Sequence, residues 1–242
     1  MIINNAFKKG MSMGLRNWIY KKTGFNVKTL EYTPLKFERF ESMGNNCELG
    51  LFLKESRNNT SSFFRYTFIH DYSLIGQLIQ NNFRDIFLLE NLEQSCTGMI
   101  IDKKYQLSFH SKMNISKRGE KKSIDNNELI VSHQKELGKV RYLADKFMDN
   151  LKKSNKIYVI KTNDNESSRE IMQLHNIMLK VGNCTILNVK FTKNNNKIST
   201  IEKINESFYV GYVSGFAPYH NAHDFNFKEW YKLLKIAEEV IR

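Results

Sequence analysis

The sequence predicts an α/β fold in which a parallel or mixed sheet is flanked by helices. The main observation is an apolar strand at 157–160, a helix with apolar residues at three- and four-residue steps up to Val181, and a second apolar strand at 184–191. A strand, a helix and a strand within roughly 35 residues are typical of a parallel βαβ unit. The length of 242 residues and the hydrophobic content of 41% are sufficient for one substantial core.

The remaining elements are predicted from apolar periodicity and capping residues. Further helices are expected after the cap Asn45 to about Ser56, at 73–83, at 128–153 and from Asn226 to the end, where Asn226 and Glu229 have the spacing of a capping box. Further strands are expected at 85–90, 98–101, 105–110 and 208–213, and the polar segment 116–127 is expected to be a loop.

The N-terminal segment predicts an amphipathic basic helix over residues 5–22, ending near Gly24. We therefore divide the chain into this helix, residues 1–24, and a single α/β domain, residues 25–242. Basic amphipathic helices bind anionic membrane surfaces, but such a helix can equally pack on its own domain or on a partner protein. The sequence leaves both interpretations open.

Composition limits the classes of partner and the compartment. The net charge of +12 favours polyanions such as anionic lipid, acidic glycans, nucleotide-linked substrates or nucleic acid. The three cysteines lack paired spacing, and neither a secretory signal nor a membrane-spanning stretch is evident. The expected location is therefore cytoplasmic, or peripheral at the inner face of the membrane.

Several chemistries lack their sequence motifs. Phosphate-binding loops, dinucleotide-binding glycine motifs, the HExxH zinc motif and the GxSxG nucleophile motif are all absent from the sequence. No zinc-finger or RNA-recognition motif accompanies the positive charge, so nucleic acid is not the expected partner. We expect no cofactor and no metal.

Cys47 is the leading candidate nucleophile. With Asn45 as N-cap and Glu48 three residues later, a capping box would place Cys47 in the first turn of its helix. A helix N-terminus lowers the pKa of a thiol and so favours the reactive thiolate. His110, at the end of the strand predicted at 105–110, is the preferred base. The alternative is a buried structural cysteine, because cysteine is among the most buried residue types.

A second group of polar residues could bind substrate. His220, His223 and Asp224 form a His-x-x-His-Asp cluster that could supply a base or hold a ligand, or could simply precede the last helix. Arg65 lies among aromatic residues and could clamp a carboxylate or phosphate, or form a structural ion pair. Asn46, next to the candidate nucleophile, is also assigned to substrate binding.

The segment 42–50, SMGNNCELG, resembles the SLGxNCE signature of a bacterial family described as papain-like cysteine peptidases of unknown function. Looser similarities follow in the same order at 63–66, 87–91, 105–110 and 157–161, and a more specific one at 211–224, GYVSGFAPYHNAHD. The resemblance covers about residues 40–240. This sequence has Ser214 and Gly215 where the family's C-terminal block has Asp-Arg, and Arg65 where one branch has aspartate.

The resemblance implies a papain-like arrangement, with Cys47 at the start of a helix and His110 brought from a later strand. Members of the family commonly occur with genes for surface polysaccharides or fused to glycosyltransferases. The function that we expect is therefore cysteine-dependent acyl transfer or hydrolysis in bacterial surface (capsular) polysaccharide biosynthesis. The alternatives are a papain-like peptidase, and a non-catalytic module that binds a polyanionic glycan or a glycosyltransferase partner.

Overall fold

Two β-sheets organise the part of the chain that the computed structural model describes, which is residues 37–96, 98–113, 115, 126–153, 156–162, 168–218 and 220–241. The strands, in chain order, are β1 (Phe40–Ser42), β2 (Thr67–Ile69), β3 (Leu92–Cys96), β4 (Met99–Asp102), β5 (Leu107–His110), β6 (Ile157–Thr162), β7 (Thr185–Phe191), β8 (Ile201–Asn205) and β9 (Phe208–Val213). Sheet A has the order β1-β6-β7-β9-β8, and sheet B has the order β2-β5-β4-β3.

Five α-helices accompany the sheets within these described residues. They are α1 (Glu48–Glu55), α2 (Tyr72–Gln80), α3 (Asn126–Lys153), α4 (Ser168–Leu179) and α5 (Phe227–Val240), with a 3₁₀ turn at Leu89–Asn91. The N-cap of α5 is Asn226, whose side chain accepts a hydrogen bond from the N–H of Glu229. This cap was expected from the sequence.

Sheet A confirms the predicted α/β class with a mixed sheet. Strands β1, β6, β7 and β9 run parallel, and β8 is antiparallel to β9 at one edge. All six residues of β6 are buried, as expected for a central strand of a parallel sheet that is covered on both faces. Helix α4 connects β6 to β7 and completes the predicted βαβ unit.

Sheet B is antiparallel throughout and only partly matches the sequence prediction. The prediction of a strand at 85–90 is wrong, because this segment forms turns and β3 begins at Leu92. Phe83 and Phe87 have φ angles of 57° and 61°, which a strand cannot accommodate. The N–H of Phe87 donates to Asp102 Oδ2 at 2.8 Å instead of joining a strand ladder.

The two faces of sheet A contact different partners. On one face, Tyr158 and Ile160 belong to an apolar cluster shared with sheet B, α2, α3 and α4. On the other face, Ile157 and Val159 pack with residues of α1 and α5. Period-2 alternation along β6 therefore directs successive side chains into two cores, and it places the cysteine helix α1 beside α5.

Three sequence predictions concern residues outside the described ones. The basic helix at 5–22, the domain boundary after residue 24 and the loop at 116–127, except its last two residues, which begin α3, lie there and stay predictions. The described residues belong to one compact unit by their contacts. Within the described ranges, no helix combines the length and the apolar character that crossing a bilayer requires.

A buried carboxyl in β1 makes stability depend on pH. Glu41 is 4% exposed, and Asn150 donates to its Oε2 at 3.2 Å. Burial raises the pKa of Glu41 from 4.5 to about 7, although Asn150 and two lysines lower it. Because the folded state holds this proton more tightly than the unfolded chain, stability should fall as the pH rises from about 4.5 to about 7, and stay low above that.

Glu41→Gln should therefore stabilise the protein at pH 8 by as much as about 3 kcal/mol, and should have little effect near pH 4.5. Glutamine retains the acceptor for Asn150, so packing is preserved. Urea unfolding of both proteins at pH 5 and pH 8 measures the difference. An equal effect at the two pH values would contradict the assignment to Glu41.

Candidate active site

The segment after β1 folds into a tight turn that leads into α1. The N–H of Met43 bonds to the carbonyl of Val159 at 2.9 Å and so extends the β1–β6 pairing by one residue. Gly44 and Asn45 then adopt left-handed φ angles of 77° and 72°. A Cβ on Gly44 would also lie 2.7 Å from the side chain of Ile69, so glycine is favoured there on both grounds.

The expected capping box is wrong, and the reason is the left-handed turn. Asn45 lies in that turn and does not cap α1, which begins at Glu48 with Cys47 as its N-cap residue. The neighbouring Asn46 supplies the cap, because its Oδ1 accepts a hydrogen bond from the N–H of Glu48 at 3.0 Å. The Cys47 side chain makes no capping bond, so its sulfur remains available for other contacts.

Cys47 and His110 meet although 63 positions separate them in the chain. The Sγ of Cys47 lies 3.3 Å from Nε2 of His110, within the distance expected of a thiol–imidazole hydrogen bond. His110 is the last residue of β5 and is exposed, and Cys47 is half-buried. The predicted proximity of this cysteine and this histidine is therefore confirmed.

The electrostatic environment of the thiol differs from the expectation. Burial raises the pKa of Cys47 above its ordinary value, and the positive charge of Lys161 lowers it. The direction is opposite to the depressed pKa that we expected, because desolvation outweighs the charge of Lys161. A thiol with a raised pKa is largely protonated at neutral pH and needs a base to react.

A buried carboxylate directly follows Cys47 and connects α1 to three other parts of the fold. Glu48 is fully buried and accepts hydrogen bonds from Lys161 Nζ at 2.8 Å, from Trp230 Nε1 at 2.8 Å and from the N–H of Ala217 at 3.1 Å. Lys161 is 3% exposed, and its Nζ lies 4.8 Å from the ring centroid of Phe216. Glu48 thus fixes the start of α1 to β6, to α5 and to the loop after β9.

His110 also lines a cleft of about 650 Å³ between the end of β5 and helix α3. Aromatic and aliphatic side chains form part of its wall: Phe63, Tyr66, Phe87, Phe109, Val140 and Leu143. Its charged wall residues are three lysines and one glutamate, namely Lys112, Lys135, Lys139 and Glu136. The cleft therefore combines an apolar surface with an excess of positive charge next to the candidate base.

The structure assigns Arg65 a structural contact. It is 4% exposed, and its guanidinium donates to the carbonyl oxygens of Gly50, Asn58 and Thr60 at 3.2, 2.6 and 2.5 Å. Both terminal nitrogens of Arg65 already donate to these carbonyls, so the structure does not support the expected role of Arg65 as a substrate clamp. The alternative, a structural ion pair, is closer to the observed contacts, although Arg65 bonds to main-chain oxygens and not to a carboxylate.

The histidine cluster lies on the loop between β9 and α5. His220, His223 and Asp224 are all exposed. The loop is attached to the cysteine helix at its beginning, where Ala217 donates to Glu48. No group of histidine, cysteine or acidic residues suited to a metal ion occurs among the described residues.

The remaining cysteines differ from Cys47 in their surroundings. Cys96 is exposed, whereas Cys184 is buried, and burial raises the pKa of Cys184 to about 12. His175 is 1% exposed, and its Nε2 lies 3.1 Å from Ser207 Oγ. None of these three residues lines the cleft.

The sequence analysis did not identify Glu48, Lys161 or Trp230 as part of the site. Their contacts join residues 113 and 182 positions apart, and local periodicity carries no information on such pairs. One sequence feature could have suggested Lys161: it is a lysine at the end of an otherwise apolar strand, where a charge needs a buried partner.

Comparison of the chain with known protein families, with curated proteins and with solved structures finds no match in any of the three.

Proposed function

We propose that this protein is a cysteine-dependent acyltransferase or hydrolase in which Cys47 is the nucleophile and His110 the general base. The observation that carries the proposal is the distance of 3.3 Å between Cys47 Sγ and His110 Nε2. A half-exposed sulfur beside an imidazole that lines a cleft is the arrangement expected of an activated nucleophile. A structural cysteine needs neither the imidazole nor the cleft.

The proposed reaction transfers an acyl group in two steps. In the first, the thiol proton of Cys47 moves to Nε2 of His110 as the sulfur forms a bond to the carbonyl carbon of the donor. The bond from that carbon to the leaving group then breaks, and His110 returns the proton to the leaving group. In the second, water or an acceptor hydroxyl gives its proton to His110 and attacks the acyl carbon. The bond from that carbon to the sulfur then breaks, and His110 returns the proton to Cys47.

The raised pKa of Cys47 favours general-base catalysis over a preformed thiolate. Burial keeps the thiol protonated near neutral pH, so the proton must leave during the attack. The main-chain N–H groups at the start of α1, other than that of Glu48, which donates to Asn46 Oδ1, and the Nδ2 group of Asn46 are the proposed donors to the oxyanion. Asn46 is suited to this role because its Oδ1 already accepts from Glu48 and its amide nitrogen can only donate.

The biological setting is proposed from the resemblance to the SLGxNCE family. A glycan or activated-sugar acceptor in surface polysaccharide biosynthesis, at the cytoplasmic face of the membrane, fits the positive charge of the chain. The papain-like arrangement of Cys47 and His110 belongs to the same proposal. A peptidase is the alternative that uses the same two residues.

A non-catalytic polyanion-binding module is the second candidate function. The observation that favours it is the excess of lysine over glutamate along the cleft wall. It predicts that glycan binding survives the loss of the Cys47 thiol, whereas the enzymatic proposal predicts a covalent acyl intermediate on that thiol.

The acyl intermediate is the direct test. The full chain, incubated with an acyl thioester and quenched in acid, should gain the mass of one acyl group, located on Cys47 by peptide mass spectrometry. Cys47→Ala should remove the adduct, and Cys96→Ser, the matched change at an exposed cysteine, should leave it unchanged. An adduct that forms equally on Cys96, or that persists in Cys47→Ala, would refute the proposal.

A further inference from the structure

We propose that Lys112, Lys135 and Lys139 form a subsite for an anionic group of the acyl donor, so that the enzyme selects negatively charged thioesters or esters. That the anion belongs to an acyl donor rests on the proposed function, but anion binding in the cleft can be measured independently of it. The three lysines line the same cleft as His110.

The position of Lys135 and Lys139 on α3 places them on one face of the helix. The α3 residues that line the cleft are 132, 135, 136, 139, 140 and 143, which are spaced by three, one, three, one and three positions, as for a single helix face. Lys135 and Lys139 are therefore neighbours at i and i+4. Like charges at this spacing destabilise a helix, and a bound anion would offset their repulsion.

Lys112 reaches the same cleft from sheet B. Glu136 fixes the chain just after β5 to α3, because its carboxylate accepts from Ser111 Oγ at 2.6 Å and from the N–H of Lys112 at 3.2 Å. Lys112 thus follows His110 by two residues and is held against the face of α3 that carries the other two lysines.

The positive charge of the cleft is not neutralised within the described part of the chain. Glu136 is the one carboxylate among the cleft-lining residues, and its described bonds go to a hydroxyl and a main-chain N–H. None of the ion pairs among the described residues includes Lys112, Lys135 or Lys139. Three ammonium groups beside one engaged carboxylate favour a ligand with negative charge.

The apolar part of the wall indicates the rest of the ligand. Phe63, Phe109 and Leu143 present hydrophobic surface beside the lysines. A donor with a carbon chain and a phosphate or carboxylate would match both features, with its carbonyl at Cys47 next to His110 and its charge at the lysines. The shared chemistry is an anionic group on the acyl donor, either on its leaving group or on its acyl chain.

A set of four thioesters tests this subsite and distinguishes the two positions of the charge. Acetyl and succinyl groups, each carried on pantetheine or on 4′-phosphopantetheine, place a negative charge on neither part, on the acyl chain, on the leaving group, or on both. The second-order rate constant for acylation of Cys47 should be about tenfold higher for the recognised anionic donor at low salt, and salt should reduce this preference.

Two double variants make the comparison specific. Lys135→Gln with Lys139→Gln should remove most of the preference, by slowing acylation with the recognised anionic donor more than acylation with acetyl-pantetheine. Lys153→Gln with Lys180→Gln, an equal change of net charge at exposed lysines that do not line the cleft, should retain the preference. Equal rates for charged and neutral donors, or an equal loss in both double variants, would overturn the subsite while leaving the proposed function intact.

Binding of inorganic pyrophosphate separates the subsite from the catalytic proposal. Calorimetry on the full chain should detect binding that weakens about tenfold in the Lys135→Gln, Lys139→Gln variant and persists in Cys47→Ala. If no thioester acylates Cys47, the proposed function fails, and this measurement alone then decides the subsite. Pyrophosphate affinity that is equal in both lysine double variants would overturn it.

Discussion

Replacing Glu48 by alanine should lower the free energy of unfolding by about 3–5 kcal/mol. The carboxylate is fully buried and is the described partner of Lys161, whose side chain is 4% exposed. Removing it leaves an ammonium group in the interior without compensation, and it also leaves the Trp230 indole N–H without its acceptor. Urea denaturation followed by tryptophan fluorescence measures the change.

A double variant distinguishes the buried charge from simple loss of packing. Glu48→Gln with Lys161→Met removes both charges while it preserves side-chain volume and a potential acceptor for Trp230, so it should recover much of the stability lost in Glu48→Ala. A loss below about 1 kcal/mol in Glu48→Ala, a value typical of an exposed ion pair, would contradict the importance of this buried contact.

Replacing His110 by alanine should slow the acylation of Cys47 by about 10²–10⁴-fold near neutral pH, the usual contribution of a general base. The remaining reaction would depend on spontaneous thiolate, and burial raises the pKa of that thiol. The thiolate fraction therefore grows only as the pH rises above the value of about 8.5 typical of a free thiol. The deficit of the variant should accordingly shrink at high pH.

The matched control is His70→Ala. His70 follows β2, the strand paired with β5, and lies 2.9 Å from Ser108 Oγ, so it is a histidine of the same sheet without contact to Cys47. Stopped-flow acylation rates between pH 6 and pH 10 for the three proteins provide the comparison. A His70→Ala variant as slow as His110→Ala, or a His110→Ala deficit that does not change with pH, would contradict the role of His110 as base.

Helices and strands that depend on contacts between residues close in sequence could be predicted from local sequence patterns. The βαβ unit follows from apolar periodicity, and the start of α5 follows from the pairing of Asn226 with Glu229, three residues apart. The strand expected at 85–90 is wrong because Phe87 has a left-handed backbone that depends on Asp102, a partner 15 positions away. Sequence periodicity contains no information about such a bond.

Some features of the candidate site could likewise be predicted from the sequence, and others could not. The pairing of Cys47 with His110 could be anticipated because each lies at the end of a recognisable element and the resemblance names both. The details of the turn that leads into α1 could not be anticipated, because Asn45 and Asn46 are both good capping residues and the sequence alone does not decide between them. The left-handed φ of Asn45, which excludes it as the cap, occurs in a turn that begins where Met43 pairs with Val159 on a distant strand.

The cysteine–histidine pair joins two parts of the chain that are far apart in sequence, so its formation depends on the order in which those parts fold. A ribosome releases the N-terminal part of a chain first, so Cys47 emerges well before His110, which lies 63 positions later. Strand β5 then has to insert between β2 and β4 before the imidazole reaches the sulfur. If Cys47 is the nucleophile and His110 the base, as proposed, the nascent protein carries the thiol without its base until the second sheet is complete.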